Sequence, residues 1–244
     1  MKLSRMRPID GTGEREAFGR PKQSSHNVRP AARAPPGRGK RRVARVPRDR
    51  LAAMTGKEAG AVAITTKTPW TADELKRLPD THRYEIDEGE LVIVSPAGRR
   101  HARMVAEITH RLTAFVRQHN LGEVGAGELG IYLQRAPQTL RGADIAYFST
   151  ERVKQLGDTK GFVDVPPDLV VEVHLPDEYD MPRKVEQYLR AGVRAVWVVD
   201  PDAWTLTRHA PGHEPRRWQD PASVVEEPLL AGFGCPLGEL LGTA

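Results

Sequence analysis

Residues 166–201, PPDLVVEVHLPDEYDMPRKVEQYLRAGVRAVWVVDP, constrain this chain more than any other stretch. Residues 168–175 are a run of Val and Leu broken by Glu172 and His174 and closed by Pro176. Proline at both borders keeps helix out. A run this continuous reads as a central strand covered on both faces. A glutamate inside such a strand is costly unless it is paired or binds a cation, so Glu172 is the first sign of a site. Alternation puts Glu172 and His174 on one face and Val171 and Val173 on the other.

The next segment carries helix signals. Asp180 suits the cap, Pro182 the first turn and Gly192 the position just past the end. Lys184 and Tyr188, four apart, lie on one side of that helix. Residues 195–200 are a second buried strand. Strand, helix, strand predicts a right-handed parallel βαβ unit in which Glu172 and Lys184 can meet.

The formal charge of +5 conceals an uneven distribution. Residues 1–50 hold 15 Lys/Arg against 4 Asp/Glu, a net of +11. Residues 51–244 hold 37 − 15 = 22 against 32 − 4 = 28, a net of −6. Whole-chain basicity is therefore no nucleic-acid footprint. The reading is a basic, disordered extension over residues 1–60 and one domain over residues 61–244. The extension is either a phosphate-contacting arm or a translated upstream stretch with the start at Met54; the second is preferred. No stretch resembles a signal peptide or is long enough to span a membrane. Cys235 is alone, which excludes an intrachain disulfide and a thiolate metal cluster. The expected location is cytoplasmic.

The rest of the body carries weaker signals. Thr71 and Glu74 form a capping-box pattern for a helix over residues 71–78. Residues 83–94 read as a hairpin turning at 87–89. Glu85 lies between Tyr84 and Ile86, and spacing alone makes it a solvated surface residue. Residues 99–119 form the longest helix, with an apolar stripe through Met104, Val105, Ile108, Leu112, Phe115 and Val116. His101 heads that stripe and reads as a partly buried, hydrogen-bonded histidine, with a ligand role as the alternative. Residues 121–133 supply one or two strands whose glycines hint at bulges. Residues 135–142 read as a polar connection. Residues 144–148, DIAYF, form a buried strand opening with Asp144, and Ser149 can cap the helix that follows. Residues 204–209 alternate as a strand, expected at an edge, and residues 224–241 close the chain.

Asp144 and Glu172 sit on short apolar strands expected to be sheet neighbours. Two carboxylates with water and phosphate oxygens suit Mg²⁺, and Mn²⁺ is the substitute. Such a cation lowers the pKa of bound water and offsets charge on a phosphodiester, while Lys184 can orient water or stabilise developing charge. From spacing alone this remains one reading, because an acid at a strand start is often a cap and a helix lysine is usually solvated.

Four segments in order, RYEIDEGELVIVSPAGRRH, RGADIAYFS, PPDLVVEV and KVEQYLRAGVRAVWVVDP, resemble the Uma-type putative restriction endonuclease family of the PD-(D/E)XK nuclease superfamily. The resemblance spans about residues 70–241 and none of the basic head. It implies a restriction-endonuclease-like α/β fold, a mixed β-sheet flanked by helices with an N-terminal hairpin, and a Mg²⁺-dependent endonuclease acting on DNA. Residue by residue it assigns Asp144 and Glu172 as catalytic and metal-binding, Lys184 as the displaced lysine, and Glu85 as a recurring glutamate that completes the site. His101 matches a recurring histidine of unknown role. Two departures stand out: Ala143 replaces the usual proline, and residues 174–177 read His-Leu-Pro-Asp where the family has Leu-Ser-Pro-Ser. His174 is read first as a core residue, second as a ligand, with replacement of the lysine also open. The competing functions are a catalytically silent nucleic-acid-binding module and a protein-interaction module on the same fold. A homodimer would suit cleavage of both strands.

Overall fold

The computed structural model describes residues 43–45, 69–78, 82–94, 96–174 and 180–242. The apolar run predicted as a central strand is one: β6 (Leu169–Val173) is buried at every position. It pairs in parallel with β7 (Ala195–Asp200), with the intervening helix α4 (Met181–Arg190) packed on the sheet. The predicted caps hold. The Asp180 carboxylate accepts the Arg183 N–H at 3.3 Å, and Gly192 takes φ +98° where a side chain would be strained.

Around this unit the described residues build a nine-stranded mixed sheet, mostly antiparallel. Its order is β1 (Val43–Arg45), β3 (Glu90–Val94), β2 (Arg83–Asp87), β5 (Gln138–Ser149), β6, β7, β8 (Thr205–Ala210) and β9 (His213–Trp218), with β4 (Gly122–Arg135) paired to β5. The predicted hairpin is β2–β3, preceded by α1 (Ala72–Leu75) with both halves of the Thr71–Glu74 capping box made. The long helix α2 (Arg99–Gln118) lays Met104, Ile108, Leu112 and Val116 on one face of the sheet, against Val171, Val173 and Trp197. Helix α4 buries Met181, Val185 and Tyr188 on the other face, against Val170 and Val196. Glu172, two residues from Val170, therefore points to the α4 side.

Several expectations are corrected. Residues 135–142 are not a loop: the β4–β5 turn is only Ala136–Pro137, and β5 runs straight into the core. Polar side chains hid this strand, because Arg141 is fully buried and saturated by partners distant in sequence. Residues 122–135, in line with the expectation of strand and bulge, are one strand, irregular between Ala126 and Leu129, where Gly127 and Glu128 take φ of +104° and +64°. Ser149 gives helix α3 (Thr150–Leu156) no side-chain cap; its N–H donates to the Asp168 carboxylate at 2.7 Å instead. Strand β8 is not an edge, since β9 covers it; β9 is exposed over most of its length and shows no alternation to read. The closing segment is a separate ribbon, β10 (Val224–Glu226) with β11 (Gly234–Pro236), followed by α5 (Leu237–Leu241). Within residues 1–60, expected to hold no element, β1 pairs with β3; the rest of that stretch lies outside the described residues.

The functional consequence lies along one edge of β5. Strand β4 follows the opposite edge almost end to end. The near edge is shared: β2 pairs at Leu140, and β6 pairs over Ile145, Ala146 and Tyr147. Residues 141–144 lie in the fork between them. The far end of the β5–β6 pairing is fastened by Asp168, whose carboxylate takes the Ser149 N–H and pairs with Arg152 and Arg194 at 3.3 and 3.2 Å. Asp168→Ala should lower stability by about 2–4 kcal/mol, since it strands a buried N–H and removes the anion facing two guanidinium groups. Urea unfolding would measure this, and a loss under about 1 kcal/mol would show that the fastening is not needed.

Candidate active site

Backbone groups in the fork need partners, and side chains supply them. The Glu85 carboxylate on β2 accepts the Gly142 N–H at 3.0 Å. The Lys184 ammonium on α4 donates to the Gly142 carbonyl at 3.0 Å. The Asp144 carboxylate reaches across the fork to accept the Val173 N–H at 2.8 Å. The polar cluster thus takes the place of a missing strand ladder.

The predicted residues converge there. The Lys184 ammonium donates to Glu172 Oε2 at 3.0 Å and to Glu85 Oε1 at 3.2 Å. The Tyr188 hydroxyl donates to the other Glu172 oxygen at 2.8 Å. The His101 Nε2 and Asp144 Oδ2 are 3.0 Å apart, joining the head of α2 to the site. Continuing the β5–β6 register one step beyond Ile145–Val171 sets Asp144 opposite Glu172. The surface reading of Glu85 is overturned: it is 5 % exposed, because β5 and α4 cover the face that alternation assigned to solvent. His174 is buried at the end of β6, with its N–H donating to the Val199 carbonyl at 2.8 Å. Residues 175–179, including the departures at Leu175 and Asp177, lie outside the described residues.

Sequence reasoning missed a second layer. Arg141 donates to Glu85 at 3.1 Å and to Gln187 at 2.7 and 3.0 Å, and pairs with Asp87 at 2.9 Å. Gln187 in turn donates to Asp87 at 2.8 Å. Gln187 stands three after Lys184, a spacing that places both on one helix face and so offered a signal. Arg141 offered none, sitting among residues that look like a turn. A cavity of about 170 Å³ lined by Arg83, Glu85, Glu128, Arg141, Gly142 and Phe162 adjoins this layer. The carboxylate of Glu128, held at the β4 irregularity and paired with Arg83, approaches Gly142 there.

Charge in the cluster is unequally shared. Burial pushes Glu85 up, but Lys184, Arg141 and the Gly142 N–H outweigh it and hold the carboxyl below its ordinary value. Burial likewise opposes ionisation of Asp144, and the His101 contact and the Val173 N–H overcome it. Glu172 is different. Burial, with Asp144 and Glu85 nearby, exceeds the pull of Lys184, and its carboxyl is pushed up to about 8. For Lys184 burial favours the neutral amine, but Glu172 and Glu85 overcome it and raise the ammonium's pKa. Burial raises the Tyr188 phenol well above its ordinary range, keeping it a donor.

The model for the Uma2 family, described as a putative restriction endonuclease, matches residues 72–238. The chain belongs to the Uma2 family. Its fold is also that of a putative nuclease belonging to DUF820 from Anabaena variabilis ATCC 29413, whose crystal structure is similar with a TM-score of 0.60. That likeness holds at 20 % sequence identity and covers 71 % of this chain and 98 % of the other. No curated protein matches the chain. The restriction-endonuclease-like mixed sheet expected from the sequence is therefore the fold of this Uma2 protein.

The donor set of the Uma2 site suits a hard cation. Carboxylate oxygens of Asp144 and Glu172 stand at the fork, and Asp144 Oδ1 carries no hydrogen bond among the described residues. Among those residues no three His, Cys, Asp or Glu side chains form a cage. Mg²⁺ needs none, because it is usually bound through one or two carboxylates and keeps several waters.

The sign of the Glu172 linkage gives a test. Its folded pKa exceeds the ordinary value of 4.5, so the fold binds the proton more tightly than the unfolded chain does. Its contribution is fully present below pH 4.5 and is lost as pH rises through about 8. Glu172→Gln, which mimics the protonated side chain, should gain stability relative to wild type between pH 5 and 9 by a few kcal/mol. Denaturant unfolding in EDTA would read this; a pH-independent difference would mean that Glu172 is ionised throughout.

Proposed function

We propose that this Uma2 protein is an endonuclease that hydrolyses DNA phosphodiester bonds with Mg²⁺ or Mn²⁺ at the fork of β5 and β6. The observation that carries this reading is the position of Lys184. One buried ammonium lies within 3.2 Å of carboxylates from two strands, beside a third acid directly across the sheet. An anion-rich fork of this kind accommodates a divalent cation, and the cation in turn admits a phosphate.

Asp144 and Glu172 would hold the cation, which supplies Lewis acidity and a more acidic bound water. His101 and the Val173 N–H fix Asp144 Oδ2 and leave Oδ1 available. Glu172 would hold it as the carboxylate, and the Tyr188 hydroxyl, 2.8 Å from its Oε1, would keep that side chain oriented. Lys184 stays charged and can turn from the Gly142 carbonyl to a phosphate oxygen, stabilising charge as it develops. Glu85, clamped by Arg141 and Gly142, anchors Lys184 in that position.

A second reading, a silent binding module on the same fold, has one observation in its favour. Both oxygens of Glu172 are already occupied, by Tyr188 and Lys184. Nicking of supercoiled plasmid by the full chain with Mg²⁺, Mn²⁺ or EDTA separates the two. The expected outcome is metal-dependent nicking, lowered roughly 100-fold or more in Glu172→Ala and Lys184→Ala. A folded wild type that nicks with neither metal would favour the silent module.

A further inference from the structure

We propose that the solvent face of α2 is the track on which the phosphate backbone of a nucleic acid lies as it reaches this site. The inference rests on the nuclease reading and names the surface that would hold the substrate.

Three independent features point there. The first is charge. Helix α2 carries five arginines and one glutamate, a net of +4. The remainder of residues 51–244 then holds 22 − 5 = 17 Lys/Arg against 28 − 1 = 27 Asp/Glu, a net of −10. A cationic helix on an acidic body is a local attractor for a polyanion.

The second is where those charges fall. The helix N-terminus is the positive end of the dipole and ordinarily attracts acids. Here the first turn has no acid, the cap is Gly98 with no side-chain acceptor, and Arg99 and Arg100 occupy the opening positions with Arg103 one turn on. These cations oppose the dipole and so weaken the helix on its own. Of the two that open the helix, Arg100 is offset by an ion pair with Asp202. An anion at that end would meet N–H donors, the dipole and guanidinium groups together.

The third is continuity and shape. Positions 99, 103, 110 and 117 recur at helical spacing on the face opposite the buried stripe, and Arg99, Arg103, His110 and Arg117 are all exposed. Ala106, Thr113 and Ala114 between them are small and leave the row uncovered. An open groove of about 740 Å³ runs beside it, walled on the far side by Ala126 and Gly127 of β4. From Arg99 to Arg117 the row is about 27 Å long, the rise of roughly eight nucleotides of one duplex strand. Its first turn also contains His101, which contacts Asp144. One rigid helix thus joins the row to the candidate site.

The test measures binding without turnover. Fluorescence anisotropy of a labelled DNA duplex and of its single strand, in EDTA over a range of salt, would compare the full chain with Arg99→Glu/Arg103→Glu/Arg117→Glu. A matched control reverses three exposed charges elsewhere, Lys154→Glu/Lys160→Glu/Arg216→Glu. The basic head is present in every protein and cancels in the difference. The expected result is a salt slope lower by about 3 and an affinity down at least about 30-fold for the α2 variant. The control should move far less. Melting temperature should change little in the α2 variant, because glutamate gained at the first turn offsets the cation lost from the last. If that variant does not fold, Arg99→Glu and Arg117→Glu singly should each lower the slope by about 1. An unchanged slope, an equal change in the control, or no binding by wild type would each overturn the inference. Plasmid nicking is read separately, so nicking with an unchanged slope sinks the track and spares the nuclease, whereas a lowered slope without nicking does the reverse.

Discussion

A buried ammonium holds this molecule's central region together. Lys184 reaches from α4 to a carboxylate on β2, a carboxylate on β6 and a backbone carbonyl on β5. Burying that charge is tolerable only because each of its hydrogen-bond directions meets an oxygen. The same contacts close the fork where β5 has left β2 and not yet met β6. The residues proposed for catalysis are also those that complete the sheet.

The inequality among the carboxylates follows from this arrangement. Glu85 has Arg141 and a backbone N–H besides Lys184, and Asp144 has His101 and a backbone N–H of its own. Among the described residues Glu172 has Lys184 and a phenol as its hydrogen-bond donors, and lies near two anions. One lysine does not neutralise all three, and the surplus raises the pKa of Glu172. A divalent cation would relieve that surplus, which gives the Uma2 fork a physical reason to attract one.

Much of the fold could be read from local signals. Glu172 stood out because a charge within an apolar strand needs an explanation. The helix after it was bounded by Asp180 and Gly192, and Lys184 and Tyr188 shared a side by spacing. Asp144 was recognised as the acid opening a short strand. Glu85 was misplaced by spacing and recovered only through the family resemblance, since alternation identifies a face but not what covers it. Arg141, Gln187 and Asp87 escaped notice because their burial is made affordable by one another, and no local pattern shows that. The start of the strand from Gln138 reads locally as a polar connection for the same reason.

The sequence by itself determined the parallel strand–helix–strand unit, the amphipathic long helix and the identities of the acids, because these depend on periodicity and caps within a few residues. Tertiary structure alone decided which acids meet Lys184, which carboxyl has its pKa raised, and that His101 at the head of α2 meets Asp144. Glu85 and Lys184 are 99 residues apart, and Arg141 and Gln187 are 46 apart. Electrostatic coupling depends on distance and burial in the folded sheet, and neither quantity exists until β2, β5 and β6 are assembled.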